Sequence, residues 1–242
     1  MTRFKRKAGL MKMRIVAIVI LALTIAAEVK AEDNLKTIFR LLYREFGRES
    51  KTKIEVVSGP ESVKMNRGGV AGKQWMATSG KYLFKLTIED ATGVEFAQLL
   101  ARVQKLPGPY MRACQAVSDA GEDGIALYVT LGGAGGHGGK AYINLVSGAD
   151  ALTIAHEMGH TLEQVARESE PKILQIWEEI SKADKISVSG YGDSACSEDI
   201  AEFAQVYAVC LDEGPEALGV LKKLSPRRFA LWEKILKDPD GD

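Results

Sequence analysis

Two histidines and a glutamate lie close together near the middle of the chain, in the run His156, Glu157, Met158, Gly159 and His160. An α-helix turns once every 3.6 residues, so residues four apart share a face. The two imidazoles can therefore bind one metal ion together. This HExxH spacing is typical of zinc sites in which the glutamate takes a proton from a water on the metal. It predicts one zinc ion per chain and a general base beside it.

The surrounding sequence favours a helix for this motif. Residues 150–166 contain no proline, and apolar side chains recur there at helical spacing. Asp150 is a candidate N-cap because it follows the helix-breaking pair at 147–148. Gly159 lowers helix propensity by about 1 kcal/mol relative to alanine, but a small residue lets a neighbouring segment approach the metal. The alternative is an ordinary amphipathic helix with two histidines and no metal.

A catalytic zinc needs three protein ligands and one open position. The chain has three histidines, so the third ligand is either His137 or a carboxylate. Residues 197–208 predict a second helix with Ser197 as candidate N-cap, and Glu198 and Glu202 share one of its faces. Two inward-facing carboxylates need a cation or hydrogen-bond donors, whereas on an ordinary helix both would face water. Spacing alone does not say which glutamate would bind the metal.

Several segments resemble one family of zinc metallopeptidases. The run from 189 to 204, with Tyr-Gly followed by Glu-Asp-Ile-Ala-Glu-Phe-Ala, is similar to a segment of the anthrax lethal factor catalytic domain and of the secreted Pro-Pro endopeptidases. The glycine-rich run 133–145 resembles the stretch before HExxH in the Pro-Pro endopeptidases, and residues 224–236 resemble their closing helix. The likeness covers about residues 110–236, with Ile200 where these families often have an aromatic residue.

The resemblance implies an α+β fold of the zincin-like metallopeptidase type, with a small mixed sheet, the HExxH helix and a helical C-terminal part. It implies a gluzincin-type site in which His156, His160 and Glu198 bind zinc. It also implies that Glu157 is the general base and that Glu202 accepts a hydrogen bond from a ligand histidine.

Two further side chains are candidates for contact with substrate. The resemblance implies that Tyr191 donates its phenol O–H to the oxyanion of the tetrahedral intermediate; the alternative is a surface tyrosine between two glycines. His137 lies in the glycine-rich run 132–139, which lacks the spacing and the Lys-Ser/Thr of a phosphate-binding loop, so nucleotide binding is rejected. A lone histidine in such a run is usually a solvated turn residue. Because all three histidines lie within 137–160, a substrate contact is the functional alternative for His137, ahead of a role as metal ligand.

Residues 1–31 predict a signal peptide. Six Lys and Arg side chains precede the apolar run 15–27, and residues 29–31 fit a cleavage site that leaves Glu32 first. The apolar run is shorter than the roughly 20 residues of a membrane-spanning helix. We therefore expect a secreted or periplasmic protein without a stable membrane span after cleavage; an uncleaved anchor is the alternative.

Charge and cysteine content limit the partners and the disulfides. Residues 1–31 hold seven of the 32 basic side chains and one of the 32 acidic ones, which leaves 25 and 31, so a nucleic-acid partner is not expected. Cys196 and Cys210 lie on one predicted helix at a separation of about 21 Å. A disulfide needs about 6 Å between Cα atoms, so these two should not pair, and a bridge from Cys114 to either stays open.

The remaining elements follow from periodicity and from the breaker residues. Residues 66–80 predict a polar, glycine-punctuated connection rather than a strand. Strands are predicted at 53–57, 82–88, 125–130 and 141–146, and helices at 34–46, 93–106, 110–117, 171–182, 215–223 and 226–237. We expect the strand at 125–130 or 141–145 to form the sheet edge that pairs with an extended substrate.

Together these features predict a signal peptide, an N-terminal portion of unassigned role at 32–108, and a lethal-factor-like zinc metallopeptidase domain at 109–242. The expected function is exported metalloendopeptidase, and the expected partner is a peptide or protein substrate. Two alternatives keep the same zinc helix: an exported zinc-binding module without turnover, and a metal amidase that acts on cell-wall peptides. A preference for proline does not follow, because the motifs do not fix the substrate pocket.

Overall fold

Alternating and continuous apolar runs form the strands of a six-stranded sheet in the computed structural model, which describes residues 34–237. Phe84, Leu86 and Ile88 alternate along one strand and point into the main core. The strands are β1 Glu55–Lys64, β2 Ala71–Ser79, β3 Tyr82–Glu89, β4 Ile125–Tyr128, β5 Gly136–Gly139 and β6 Tyr142–Val146. All four residues of β4 are buried because both faces of the sheet are covered there.

The sheet is mixed, and its strand order is β1-β2-β3-β4-β6-β5. The pairs β3–β4 and β4–β6 are parallel, while β1–β2, β2–β3 and β5–β6 are antiparallel. The described residues thus form a mixed α+β fold whose C-terminal part is helical, as the sequence predicts. Strands β1–β3, from the portion of unassigned role, belong to the same sheet as β4–β6.

Helices cover one face of the sheet and pack against one another on that side. They are α1 Leu35–Ile38, α2 Arg40–Glu45, α3 Phe96–Val103, α4 Met111–Ala120, α5 Ala151–Ser169, α6 Ile173–Asp184, α7 Cys196–Glu213, α8 Pro215–Leu224 and α9 Pro226–Leu236. Within residues 34–237 no helix has both the length and the apolar character needed to cross a membrane. The predicted signal peptide at 1–31 lies outside the described residues.

The turn between β1 and β2 reaches across the other face of the sheet. Met65 packs there with Ala126, Tyr128 and Leu131 in a small second core. Asp123 fastens the turn, because one of its carboxylate oxygens accepts the hydroxyl of Tyr128 at 2.9 Å and the backbone N–H of residue 66 at 2.8 Å. This arrangement brings the N-terminal portion close to the start of β5.

Four predictions about local structure are wrong. Residues 66–80 contain β2, since pairing with β1 and β3 on both sides compensates for its small, weakly patterned side chains. Residues 136–139 of the glycine-rich run form β5, although the sequence predicts no strand there because glycine is a poor strand residue. The helix predicted at 34–46 is interrupted at Phe39, where φ is −90° and ψ is 9°. The second motif helix begins at Cys196 after Ala195, so Ser197 is not its N-cap.

Other local predictions are confirmed. The Asp150 side chain caps α5 by accepting the backbone N–H of Thr153 at 2.8 Å. Cys196 and Cys210 are unpaired and lie near opposite ends of α7, as their spacing predicts. Cys114 is also a free thiol and is buried in α4, which answers the question left open by the sequence.

Helix α5 packs directly against α7 through Gly159. A Cβ atom at this position would lie 2.8 Å from the Ala204 Cβ and 2.9 Å from the Ala201 Cα, both closer than packed carbon atoms approach. Glycine is therefore retained inside a helix because it permits this approach, although it lowers helix propensity by about 1 kcal/mol. The contact brings the face of α5 that carries the histidines against the glutamate face of α7.

We expect Gly159→Ala to lower the free energy of unfolding by about 1–2 kcal/mol, because the clash outweighs the gain in helix propensity. Gly219→Ala is the matched control, since Gly219 also lies in a helix but has open space around its Cα. The control should raise the free energy by about 0.5–1 kcal/mol. Urea unfolding measures both, and stabilisation by Gly159→Ala would contradict the proposed role of this contact.

Candidate metal centre

The predicted ligand residues converge at the contact between α5 and α7. One ligand atom from each of His156, His160 and Glu198 lies within 4.8 Å of the others, so this group could hold a metal ion. The Glu198 Oε2 is 3.2 Å from the Nε2 of His156 and 3.5 Å from the Nε2 of His160. The two rings stand edge to face with centroids 4.9 Å apart, which leaves both Nε2 atoms directed at the carboxylate.

The unpaired state of the Glu198 Oε2 shows that these residues fit a cation. This atom is buried and has no hydrogen-bond partner among the described residues. When both imidazoles are neutral and turn their Nε2 lone pairs towards the carboxylate oxygen, these atoms repel one another, whereas a cation between them is attracted to all three atoms. Nitrogen and carboxylate donors together suit a divalent transition metal.

The other ring nitrogen of His156 faces Glu202. The Nδ1 lies 3.3 Å from the Glu202 Oε1, at a distance but not an angle suited to a strong hydrogen bond. The Glu202 Oε2 accepts two shorter hydrogen bonds, from the Lys36 Nζ at 2.6 Å and from the Ser189 Oγ at 2.6 Å. A proton held at Nδ1 by a carboxylate leaves Nε2 free to bind a metal.

The pKa values of Glu202 and His160 favour metal binding, whereas that of His156 favours its protonated form. Burial lowers the pKa of His156, but Glu202 and the charges of Glu157 and Glu198 raise it overall, so a metal would have to displace a proton from this ring. Burial raises the pKa of Glu202, but the nearby His156 ring and the hydrogen bonds from Lys36 and Ser189 lower it to about 2, so this carboxylate is ionised at neutral pH. Burial and the neighbouring His156 both lower the pKa of His160 below its usual value. Its imidazole is therefore neutral at neutral pH, which is the form that binds metals.

Glu157 lies on α5 and is buried where this helix packs against β5. A Cβ atom at Gly136 would lie 2.5 Å from the Glu157 Oε1, and one at Gly138 would collide with the backbone carbonyl of the same glutamate. These two glycines therefore allow the strand to approach the carboxylate closely. Burial raises the pKa of Glu157 to about 7, against the effects of His156 and a hydrogen bond from the Gly138 backbone. A pKa near neutrality suits a group that accepts and returns a proton.

Tyr191 lies on the loop between α6 and α7, across the cleft from α5. Its ring centroid is 6.1 Å from that of His156, and 59% of the residue is exposed. Burial, followed by the charge of Glu198, raises the pKa of its phenol, which keeps the hydroxyl protonated. The loop is held by Ser189, whose Oγ accepts the backbone N–H of Gly192 at 2.9 Å.

His137 lines the same cleft as the candidate ligands but is not one of them. It lies on β5, opposite Asn144 of β6, and its Nδ1 is 3.4 Å from the Arg67 Nη1. The cleft has a volume of about 530 Å³ and includes Tyr142 on the β5 side. The structure therefore places His137 on the wall of the cleft, beside an arginine that the sequence did not indicate.

The strands predicted to form the substrate edge lie inside the sheet. β4 lies between β3 and β6, and β6 lies between β4 and β5. Neither 125–130 nor 141–145 therefore presents a free edge. The strand at this edge of the sheet, beside α5, is β5. It could not be recognised from the sequence because glycine is a poor strand residue.

A buried ion pair fixes the start of α7, next to Glu198. Asp199 accepts hydrogen bonds from the Arg228 Nε at 2.8 Å and Nη2 at 3.0 Å, and from the Trp177 Nε1 at 2.6 Å. Burial raises the pKa of Asp199, while Arg228 and Trp177 lower it. Because these partners come from α6 and α9, the first turn of α7 is held by both helices.

Comparison with known proteins gives no relative for this chain. No protein-family model matches it, and neither curated proteins nor solved structures give a match.

We expect Arg228→Met to lower the free energy of unfolding by about 3–5 kcal/mol, because it leaves the buried Asp199 carboxylate without its charged partner. Arg227→Met is the control, since Arg227 is the exposed neighbour of Arg228 on α9. Urea unfolding of both variants measures the difference. Equal stability of the two variants would show that the buried pair does not fix α7.

Proposed function

We propose that this chain is an exported zinc-dependent metalloendopeptidase of the lethal-factor-like, zincin-like kind. The observation that carries the proposal is the convergence of His156, His160 and Glu198 around one point, with Glu157 beside it. Tyr191 faces the same point from the opposite wall. This is the set of groups that peptide hydrolysis by a metal-activated water requires.

Zinc is the metal that we propose for the site. Two imidazoles and one carboxylate form the protein ligand set of several catalytic zinc sites, and they leave a position open. When bound, zinc supplies a Lewis acid that polarises the peptide carbonyl and lowers the pKa of a water molecule. Glu202 would hold the ring of His156 in the orientation and tautomer needed for ligation.

Glu157 is proposed as the general base. Its carboxylate lies at the floor of the cleft, beneath β5, where an attacking water would be within reach. It would take a proton from this water and pass it to the leaving amine. General acid–base help of this kind contributes roughly 10²- to 10⁴-fold to a rate.

Tyr191 is proposed as the donor to the carbonyl oxygen that becomes negative during attack. The raised pKa of its phenol keeps the proton available for donation at neutral and alkaline pH. A donor placed where charge develops stabilises the transition state more than the substrate. The high exposure of Tyr191 suggests that bound substrate covers the ring and completes the site.

The shape of the cleft supports a peptide substrate. The free edge of β5 runs along α5, so an extended peptide could pair with it by backbone hydrogen bonds. His137 on β5 and Arg67 beside it would contact side chains of such a peptide.

We expect Glu157→Gln to bind zinc and fold as the wild type does, but to lose cleavage by at least about 10²-fold, because glutamine cannot accept the proton. The measurements are zinc content by mass spectrometry of the purified protein and cleavage of a peptide library with mapped products. Glu168→Gln, on the exposed part of the same helix, is the control for loss of a carboxylate.

The alternatives give different outcomes in the same assay. Full activity of Glu157→Gln would contradict the proposed mechanism. Zinc-loaded wild type that cleaves no library peptide would favour a zinc-binding module without turnover. Cleavage of cell-wall peptide cross-links, with the peptide library left intact, would favour a metal amidase.

We expect Tyr191→Phe to lower kcat by about 10- to 10³-fold with little change in KM, because the lost hydrogen bond forms only in the transition state. Zinc content should be unchanged, since the phenol is not among the proposed ligands. Tyr142→Phe is the control, as this exposed tyrosine lines the same cleft without approaching the ligands. Equal losses in the two variants would contradict the role of Tyr191.

A further inference from the structure

Helix α1 is hydrogen-bonded through its backbone to the loop that precedes Tyr191. The backbone N–H groups of Leu35 and Lys36 donate to the carbonyls of Ser187 and Val188, each at 3.0 Å. Leu35 is fully buried in the main core, so α1 is held in place independently of its charged residue. The side chain of Lys36 starts from this fixed backbone and reaches into the metal centre.

Lys36 and Ser189 both donate hydrogen bonds to one carboxylate oxygen of Glu202, which leaves the other oxygen for His156. Both donors approach the Oε2 at 2.6 Å, while the Oε1 faces the Nδ1 of His156 at 3.3 Å. The Glu202 side chain is 4% exposed, so water cannot replace either donor easily. The orientation of this carboxylate therefore depends on the two side chains at its Oε2.

We propose that Lys36 is a positioning residue of the metal centre, which fixes the Glu202 carboxylate so that its second oxygen holds the ring of His156. The inference rests on the proposed function, because it assumes that His156 is a metal ligand. It also gives the portion at 32–108 a part in the site. The first helix of that portion supplies the only ammonium group that contacts a carboxylate of the metal centre among the described residues.

Two opposite effects follow from removal of the Lys36 ammonium. Loss of its positive charge removes some repulsion of a bound cation, but the side chain is 32% exposed and solvent weakens this long-range effect. Loss of the 2.6 Å hydrogen bond leaves a buried carboxylate free to turn away from His156. Removal of a partner that orients a ligand typically weakens metal binding by 10- to 100-fold, so the second effect should dominate.

The test is a zinc-affinity measurement by competition with a chromophoric chelator, on the full mature chain. Lys36→Met should bind zinc about tenfold more weakly, and Lys36→Arg should retain most of the affinity because it restores the charged donor. Lys51→Met is the matched control. Lys51 also belongs to the N-terminal portion, pairs with Asp212 of the same helix α7 at 2.9 Å, and is 34% exposed.

A double-mutant cycle separates positioning from general loss of stability. In a Glu202→Gln background, Lys36→Met should cause no further loss of zinc affinity, because the carboxylate that it positions is already absent. The neutral glutamine also removes the buried unpaired charge, so this double variant keeps the test usable if Lys36→Met alone does not fold. Additive losses in the cycle would overturn the inference.

The outcomes for the two proposals are distinguishable. Wild-type protein that binds no zinc would contradict the proposed function. Wild type that binds zinc, with Lys36→Met binding it equally or more tightly, would overturn the role of Lys36 and leave the proposed function standing. A loss of affinity in Lys51→Met as large as in Lys36→Met would also overturn it, because the effect would then be general to salt bridges on α7.

Discussion

The structure depends on the close packing of helices α5 and α7, which brings largely buried carboxylates of α7 against the imidazoles of α5. Gly159 permits the approach, and the ion pair of Asp199 with Arg228 fixes the start of the second helix. Glu198 and His156 then face each other across the contact. Such an arrangement is unfavourable unless the negative charges are compensated, and each element around it contributes to that compensation.

Sequence reasoning found those parts of the site that depend on local geometry. His156 and His160, like Glu198 and Glu202, share faces because of a fixed four-residue spacing, so their positions within each helix could be predicted. That the two faces meet was an inference from the types of residue involved. Lys36 could not be found in this way, because it is 166 residues from its partner and an isolated lysine carries no pattern.

The same distinction applies to the sheet. β3, β4 and β6 could be predicted because their apolar side chains either alternate with polar ones or form a continuous run, and both patterns are typical of buried strands. β5 could not be predicted because its glycines meet a packing requirement rather than a strand preference: Gly136 and Gly138 leave room for Glu157, and a side chain at either position would displace the carboxylate or the helix backbone. The glycine content of β5 is thus explained by its close packing against α5 at Glu157.

Charge balance connects the proposed metal with the state of Glu157. The site contains three carboxylates, on Glu157, Glu198 and Glu202, and one nearby ammonium, on Lys36. With all three carboxylates ionised and both ligand histidines neutral, as metal binding requires, two negative charges lack a fixed partner, which matches the charge of one divalent cation. Without that cation, burial and the neighbouring Glu198 raise the pKa of Glu157, so the proposed base is partly protonated near pH 7. A bound cation lowers this pKa by the same electrostatics, so occupation of the site would itself produce the ionised base on which hydrolysis depends.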